Sequence, residues 1–316
     1  MHKFLMIDAL IITLILFSGC QRDEQTGNGV ATIALVMKTA NNPFFIDMER
    51  GAREAADKLG VELIVQSAER EVDVEKQMQI IENLIQRQVN ALCITPSGSK
   101  EIVPAIVKAN KAKIPVLIVD TRVDETTLKE AGGQIATFIG SDNFAGGKIA
   151  GKKIVESLGG RGKVAVLEGI PGHETGDARL GGFHEALQEQ SGIEVIASQT
   201  ANWERALGYN VFQNLLQSNP DIQALFACND MMALGALAAI AAAGKTGEII
   251  VVGFDAIDDA RSAIQKGEMH GSIAQFPSEM GRLAVEKAFD LLNGKTIADY
   301  IPTKIELVAK ENLATQ

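Results

Sequence analysis

Short β-rich runs alternate with amphipathic helical stretches from residue 31 to residue 275, and this alternation restricts the possible folds more than any other feature. The first run, ATIALVM (31–37), leads into Asn42 and Pro43. That pair is typical of a helix start, because Asn caps free backbone N–H groups and Pro fits the first turn. Apolar residues then recur at spacings of three and four until Gly60, which predicts a helix and its end.

The alternation occurs twice along the chain. A first set of strands ends at TFIGSD (137–142), and a second set opens with a predicted helix from Phe144 to Leu158 and ends at GSIAQ (271–275). In the second set a helix is expected from about Asp177 to Gln190. Strands that alternate with helices favour parallel sheets covered on both faces. The sequence therefore predicts an α/β protein with two doubly wound, Rossmann-like domains.

The first 19 residues have the pattern of an export signal. Lys3 precedes an apolar run (9–17), which is followed by Ser18, Gly19 and Cys20. The run is too short for a membrane-spanning helix, which needs about 20 residues. The pattern is similar to a bacterial lipoprotein signal, and it predicts a signal peptide (1–19), a lipid on Cys20 and a polar tether (20–30). An ordinary secretory signal with a chance Cys is the alternative. Both kinds of signal imply an extracytoplasmic protein. A lipoprotein signal also implies that the protein is anchored to a membrane, in the periplasm or at the cell surface.

Composition and motifs exclude several classes of function. Lys and Arg total 30 and Asp and Glu total 40, with no basic block, so nucleic acid is not an expected partner. Beyond the signal the histidines are His173, His184 and His270, whose spacing does not fit a zinc helix. The chain also lacks a serine nucleophile elbow, a phosphate-binding loop and a dinucleotide fingerprint. We therefore expect no metal, no cofactor and no enzymatic activity.

Polar residues end five of the predicted strands. These residues are Asp120, Asp142, Asn229, Asp255 and Gln275. In open parallel sheets, ligands bind beyond the carboxyl ends of the strands, so the five residues indicate a common site. Each one could instead cap the following helix or form part of a turn, since Asp and Asn are favoured there.

Aromatic residues occur close to these strand ends. Phe44 and Phe45 begin the first helix, Trp203 lies in a loop between Asn202 and Glu204, and Phe254 precedes Asp255. Core packing is the usual role of Phe. Aromatic faces beside carboxylates and amides suit a sugar, however, because its C–H faces pack on rings while its hydroxyls donate and accept hydrogen bonds.

The chain resembles the ribose-binding protein group of periplasmic binding proteins from about residue 31 to its end. The resemblance is carried by NNPFF (41–45), LIVD (117–120), SDNFAGGKIAG (141–151), ANWERALGYNVFQNLL (201–216), FACNDMMALGAL (226–237), VVGFD (251–255) and SIAQFP (272–277). It implies two domains joined by a hinge of three crossings, near Ser141-Asp142, Gln275 and Lys304. The lobes implied are 31–141 plus 276–304 and 142–275 plus 305–316.

The same resemblance implies a set of ligand-binding residues by position: Asn42, Phe44, Phe45, Asp120, Trp203, Asn229, Phe254, Asp255 and Gln275. This chain departs from the ribose binder at two places. Thr121 stands where the ribose binder has Arg, and Arg122 follows one position later. In GIPGHETGDARLGGF (169–183) the ligand-binding Arg aligns with Asp177, while Arg179 keeps the second Arg of that segment.

These departures change the pattern of hydroxyl recognition, because guanidinium forks are replaced by other groups. We include Arg122, Arg179, His173 and Asp177 in the predicted site and expect the last two to determine specificity. The two departures argue against ribose itself, and the expected ligand is another pentose, a hexose or a sugar alcohol.

The resemblance implies a monomeric, extracytoplasmic solute-binding component of an ABC importer that closes on its ligand and delivers it to a permease. A sugar receptor for a chemotaxis or histidine-kinase sensor would use the same residues. A transcriptional regulator would need a basic helix-turn-helix of about 60 residues ahead of the first strand. An exported enzyme on the same scaffold is the remaining alternative.

Overall fold

The computed structural model describes residues 30–188 and 191–313. The predicted signal peptide (1–19), the predicted lipid site Cys20 and the tether up to residue 29 lie outside the described residues. Within the described ranges, no helix combines the length and the apolar character needed to cross a bilayer.

The first sheet has six strands, all paired in parallel, in the order β11-β5-β4-β3-β1-β2. Its strands are β1 (Thr32–Thr39), β2 (Glu62–Ala68), β3 (Ala91–Ile94), β4 (Val116–Val119), β5 (Thr137–Gly140) and β11 (Tyr300–Pro302). The helices between or against these strands are α1 (Pro43–Leu59), α2 (Val74–Gln86), α3 (Val103–Lys111), α4 (Glu125–Glu130) and α10 (Pro277–Leu292). We call this part of the chain the first lobe.

The second sheet also has six strands, in the order β12-β10-β9-β8-β6-β7, and only the pairing of β12 with β10 is antiparallel. Its strands are β6 (Arg161–Glu168), β7 (Gly192–Thr200), β8 (Ala224–Ala227), β9 (Ile250–Asp255), β10 (Gly271–Ala274) and β12 (Glu306–Val308). Its helices are α5 (Asn143–Ser157), α6 (Glu174–Gln188), α7 (Arg205–Ser218), α8 (Asp230–Ala242) and α9 (Asp258–Lys266). We call this part the second lobe, and the prediction of two doubly wound α/β domains is confirmed.

Both faces of the first sheet are buried, as expected for a parallel sheet between helices. Successive residues of β1 alternate between two apolar clusters: Leu35 packs in one and Val36 in the other. Helix α1 begins and ends as predicted, because the Asn42 side chain accepts a hydrogen bond from the N–H of Phe44, and Gly60 ends the helix with φ 67°.

The chain passes between the two sheets three times. It leaves the first sheet after β5, at residues 141–142, and returns after β10, at residues 275–276. The last passage, 303–305, separates β11 from β12. Phe276 has φ 60° at the second passage, an uncommon conformation for a residue other than glycine.

Helix α6 begins at Glu174 rather than near Asp177, which corrects the sequence prediction by about one turn. Glu174 and Asp177 both lie in its first turn, where carboxylates are stabilised by the positive end of the helix dipole. The earlier start makes Thr175 part of the helix. Helix α10 and the three-residue strands β11 and β12 follow the last strand that the sequence pattern predicted.

Candidate functional site

A buried cleft lies between the carboxyl ends of the strands of the two sheets. It is lined by Lys38, Asn42, Phe44, Phe45, Glu71 and Asp120 from the first lobe, by Thr175, Arg179, Trp203, Asn229 and Asp255 from the second, and by Gln275 at a chain passage. The structure brings together nine of the residues selected from the sequence: Asn42, Phe44, Phe45, Asp120, Arg179, Trp203, Asn229, Asp255 and Gln275.

Several cleft residues have a backbone conformation that is rare outside glycine. Asp120 has φ 66°, Trp203 φ 67° and Asp255 φ 109°. Such conformations cost energy and tend to occur at functional sites, where surrounding contacts hold them. Here they aim side chains from strand ends and from one loop into the same space.

The aromatic side of the cleft is formed at the start of α1. The rings of Phe44 and Phe45 meet edge to face, with centroids 5.3 Å apart. Asn42 caps the helix with its side-chain oxygen, which accepts from the N–H of Phe44 at 3.1 Å. Its Nδ2 donates to Oε1 of Glu71 at 3.4 Å, so the helix cap also orients a carboxylate of the cleft.

A buried cluster of one ammonium and two carboxylates occupies the first lobe's side of the cleft. Lys38 Nζ lies 3.6 Å from Asp120 Oδ2 and 3.8 Å from Glu71 Oε2, and only 3% of the Lys38 side chain is exposed. Burial raises the pKa of Glu71, and Lys38 acts in the opposite direction. The sequence analysis selected neither Lys38 nor Glu71. A lysine at the end of an otherwise apolar strand was the available signal.

Thr121, at the position where the ribose binder has Arg, orients the neighbouring Asp120. Its Oγ1 donates to Asp120 Oδ2 at 2.9 Å, and Thr175 Oγ1 donates to Thr121 Oγ1 at 3.0 Å from the opposite lobe. The Thr121 hydroxyl and the Lys38 ammonium therefore both approach the same oxygen, Oδ2 of Asp120.

Arg179 is the best-fixed cation of the second lobe. Its Nε donates to Asn143 Oδ1 at 2.9 Å, and its Nη1 donates to the carbonyl of Cys228 at 2.6 Å. The guanidinium carbon lies 3.8 Å from the ring centroid of Phe254, and Nη1 is 3.7 Å from Asp255 Oδ1. A buried, stacked and hydrogen-bonded guanidinium presents its remaining N–H groups in a fixed direction.

Asp255, Gln275 and Asn229 form the polar face opposite the first lobe. Gln275 Nε2 donates to Asp255 Oδ1 at 2.6 Å. Burial raises the pKa of Asp255 well above its usual range, and Arg179 acts in the opposite direction. Asn229 caps α8 by accepting from the N–H of Met232 at 2.9 Å and donates from Nδ2 to the carbonyl of Trp203 at 3.2 Å.

Trp203 packs against two glycines. A Cβ placed on Gly169 would lie 1.9 Å from Cζ2 of Trp203, so only glycine leaves room for this ring. Its Nε1 is buried and has no hydrogen-bond partner among the described residues, and the same is true of Oε1 of Gln275. Buried polar atoms are normally paired, so both are candidates for hydrogen bonds to a ligand.

Asp142, selected as a strand-end residue, caps α5 and does not line the cleft. Four of the residues selected as ligand-binding also lie outside it. Phe254 is fully buried behind the guanidinium of Arg179. Asp177 is exposed, because it lies on the opposite side of α6 from Arg179. Arg122 stacks on the rings of Phe138 and Tyr300, at 3.9 and 4.8 Å from their centroids.

His173, the fourth, is buried directly before α6. Burial lowers its pKa to about 3, with Lys38 contributing, so the imidazole is neutral at physiological pH.

Direct contacts between the lobes close the cleft beside these residues. The N–H of Glu174 donates to Oγ of Ser99 at 3.2 Å, and Thr175 meets Thr121 as described above. Burial raises the pKa of Glu174, and Arg122 of the first lobe acts in the opposite direction. Helix α6 thus begins in contact with two loops of the other lobe.

The cleft suits an uncharged, hydroxyl-rich ligand. Its carboxylates accept hydrogen bonds, its ammonium and guanidinium donate them, and its rings offer apolar faces. Within the described ranges, no group of three or more His, Cys, Asp or Glu side chains could hold a metal ion.

Residues 33–296 match the family model described as "Periplasmic binding protein domain". The chain is 38% identical to the ribose import binding protein of Bacillus subtilis, over 94% of this chain and 96% of that protein. It is 37% identical to the D-allose-binding periplasmic protein of Escherichia coli, over 84% of this chain and 86% of that protein. Among solved structures, an ABC transporter periplasmic solute-binding protein from Actinobacillus succinogenes with bound D-allose has a TM-score of 0.87 and 39% identity, over 90% of this chain and 100% of that one.

Proposed function

The chain belongs to the periplasmic binding protein family, and we propose from that membership that it is the extracytoplasmic solute-binding component of an ABC importer with a monosaccharide as its ligand. The observation that carries this proposal is the buried cleft, in which Asp120 and Asp255 face each other's lobes among aromatic rings and fixed cations. Its relatives are named for import or binding of ribose and allose.

The residues around the cleft suggest how a sugar is held. The carboxylates of Asp120 and Asp255 accept from hydroxyl groups, while Lys38 and Arg179 donate to hydroxyl and ring oxygens. The rings of Phe44, Phe45 and Trp203 pack on the C–H faces of the sugar. Arg179 provides one guanidinium to the cleft. Lys38 provides a second cation beside Asp120, next to Thr121, whose side chain is uncharged. Because relatives are named for import or binding of ribose and allose, D-ribose and D-allose are the first ligands to test.

A thermal-shift screen followed by calorimetric titration tests the proposed function. The panel contains D-ribose, D-allose, D-arabinose, D-tagatose and myo-inositol, because a ligand that binds only the folded state raises the apparent stability. We expect saturable binding of at least one sugar and no turnover of that sugar. If no sugar or polyol binds, or if a bound sugar is converted, the proposed function is wrong.

Ligand-driven closure follows from the way the cleft is shared. We propose lobes of 31–141 plus 276–304 and 142–275 plus 305–316, so that neither lobe alone completes the site. Arg179, Asn229 and Gln275 are each at most 3% exposed, so a sugar can reach them only if the lobes separate. A ligand that contacts both lobes binds the closed form better than the open form and shifts the population toward it.

Small-angle scattering measures this closure. The radius of gyration is expected to fall when the sugar found in the screen is added at saturation, because the ligand-free protein also populates open forms. Scattering with a sugar that fails in the screen is the control. Identical profiles with and without bound sugar would indicate a rigid protein with a preformed cleft.

Trp203 is expected to contribute both stacking and a hydrogen bond. Trp203→Ala should remove ring stacking of roughly 1 to 2 kcal/mol and lower the affinity about tenfold or more. Because the ring is 5% exposed, this variant should also lose about 3 to 5 kcal/mol of folding stability, so titrations are run well below its melting temperature.

Trp203→Phe is the matched variant, since it keeps an aromatic face and removes only the indole N–H. We expect an intermediate loss of affinity for Trp203→Phe. Unchanged affinity in both variants would assign Trp203 to core packing alone.

We further propose that the mature protein begins at a lipid-bearing Cys20, which anchors it to a membrane in the periplasm or at the cell surface. It acts as a monomer, with a permease and not a nucleic acid as its partner. The basis is the short apolar run that ends in Ser18, Gly19 and Cys20 ahead of a polar tether. Intact-mass spectrometry of the protein from native membranes should show a diacylglyceryl-modified N-terminal Cys20. An unmodified Cys20, or an N-terminus elsewhere, would contradict this, and Cys20→Ser provides the unlipidated control.

A further inference from the structure

The turn after β9 holds two consecutive residues in conformations that favour glycine. Asp255 has φ 109° and Ala256 has φ 52°. Positive φ at two non-glycine residues is costly, and it persists only where the surroundings hold it. This turn carries the Asp255 carboxylate, so whatever holds the turn also sets the position of that carboxylate.

Asp230 and Ser272 hold the turn through its backbone N–H groups. The N–H of Ile257 donates to Oδ2 of Asp230 at 3.0 Å. The N–H of Ala256 donates to Oγ of Ser272 at 2.9 Å, and that hydroxyl donates in turn to Oδ1 of Asp230 at 2.7 Å. Both N–H groups that follow Asp255 are therefore tied, directly or through one hydroxyl, to a single carboxylate.

The Asp230 carboxylate is enclosed and does not line the cleft. It is fully buried at the start of α8, and a Cβ on Gly253 would lie 2.2 Å from its Oδ1. Burial raises its pKa to about 7, while the hydrogen bonds from Ser272 and the backbone act in the opposite direction. Burying a carboxylate lowers the stability of the folded protein. The need to pair buried polar groups does not by itself explain why Asp230 contacts this turn.

We propose that Asp230 and Ser272 are positioning residues for ligand binding, which act on the sugar only through the placement of Asp255. This inference rests on the proposed function, because it concerns the affinity of the cleft for a sugar. It adds two residues outside the cleft, one directly after Asn229 in the chain and one on β10, to those that determine affinity.

Two variants break the link at different points. Asp230→Asn keeps the shape but removes the negative charge and one acceptor oxygen, so that it can offer the turn at most one neutral acceptor. Ser272→Ala removes the hydroxyl between Ala256 and Asp230 and is the milder change if Asp230→Asn folds poorly. The control is Val166→Ala, a fully buried change in β6 of the same lobe that lies on another strand from the turn. Val166→Ala lowers folding stability as a core substitution does, but leaves the hydrogen bonds of the turn intact.

The first measurement is the affinity for D-ribose and D-allose by titration calorimetry at pH 8, above the raised pKa of Asp230. Loss of a hydrogen bond to a charged group predicts a fall in affinity of about tenfold or more for Asp230→Asn and a smaller fall for Ser272→Ala. Val166→Ala should bind like the wild type. Unchanged affinity in both folded variants overturns the inference, and so does a loss no larger than that of Val166→Ala.

The second measurement does not depend on any ligand. Hydrogen exchange of residues 254–258 in the sugar-free protein should become faster in Asp230→Asn and Ser272→Ala, with strand β3 unchanged. Exchange at the wild-type rate in both variants overturns the inference even if no sugar is found. If exchange changes as expected and the wild type binds no sugar or polyol, the proposed function fails while the turn assignment stands.

Discussion

Asp255→Ala is expected to abolish sugar binding while cooperative unfolding is retained. The Asp255 carboxylate accepts from Gln275 at 2.6 Å and lies 3.7 Å from Arg179, and it faces the cleft from the end of a buried strand. Two hydrogen bonds from sugar hydroxyls to a carboxylate, at roughly 1.5 to 3 kcal/mol each, correspond to at least about a hundredfold in affinity. Titration calorimetry and urea unfolding measure the two parts of this prediction.

Folding should survive because the ionised carboxylate is costly to bury. A group whose pKa is raised in the folded protein, as burial raises that of Asp255, contributes stability that is lost as the pH rises through the folded value. Arg179 also keeps its hydrogen bonds to Asn143 and to the carbonyl of Cys228 when the Asp255 carboxylate is removed.

The matched control for Asp255 is Asp142, another aspartate near a strand end. Asp142 is exposed and its carboxylate caps α5 by accepting from the N–H of Ala145 at 2.9 Å. Asp142→Ala should cost about 0.5 to 2 kcal/mol of folding stability through the lost cap and leave affinity nearly unchanged. Normal binding by Asp255→Ala, or equal losses for both variants, would contradict the assignment.

The contrast between these two aspartates shows what strand ends can predict. Parallel topology places the carboxyl ends of all strands along one edge, so Asp120, Asn229, Asp255 and Gln275 could be selected from the sequence as neighbours. The same rule also selected Asp142, whose side chain turns back to its own helix. The position in the sequence determines which strand end a residue follows. The local backbone conformation determines whether its side chain enters the cleft.

Two charged residues of the cleft were harder to predict. Lys38 belongs to β1, where a buried strand is expected to be apolar, and Glu71 lies in a loop with no motif around it. Their pairing depends on which loop packs against the end of β1, which is a tertiary property. Strands β11 and β12 are three residues long and pair with remote strands, so local pattern did not indicate them.

The choice between Asp177 and Arg179 could have been made from helix periodicity. Residues two apart on a helix differ by about 200° in direction, so only one of the two can face the cleft. Thr175, Arg179 and Phe183 recur every four residues and are all buried on one side of α6. Alignment by motif placed Asp177 at the ligand position, because it compares residues in order and not helix faces.

Arg179→Lys is therefore expected to weaken sugar binding about a hundredfold or more, even though the positive charge is kept. A lysine ammonium cannot donate to Asn143 and to the carbonyl of Cys228 while it also stacks on Phe254 and faces Asp255. Two hydrogen bonds from a fixed guanidinium to sugar oxygens, at roughly 1.5 to 3 kcal/mol each, correspond to about a hundredfold in affinity when they are lost. Arg122→Lys is the control, since Arg122 stacks outside the cleft on Phe138 and Tyr300, and it should bind nearly like the wild type.

Calorimetric titration of both variants, with melting curves to show that each is folded, distinguishes the two arginines. Equal affinities for Arg179→Lys and the wild type would show that the guanidinium does not contact the sugar, and a large loss in Arg122→Lys would return the ligand contact to the position predicted from the sequence.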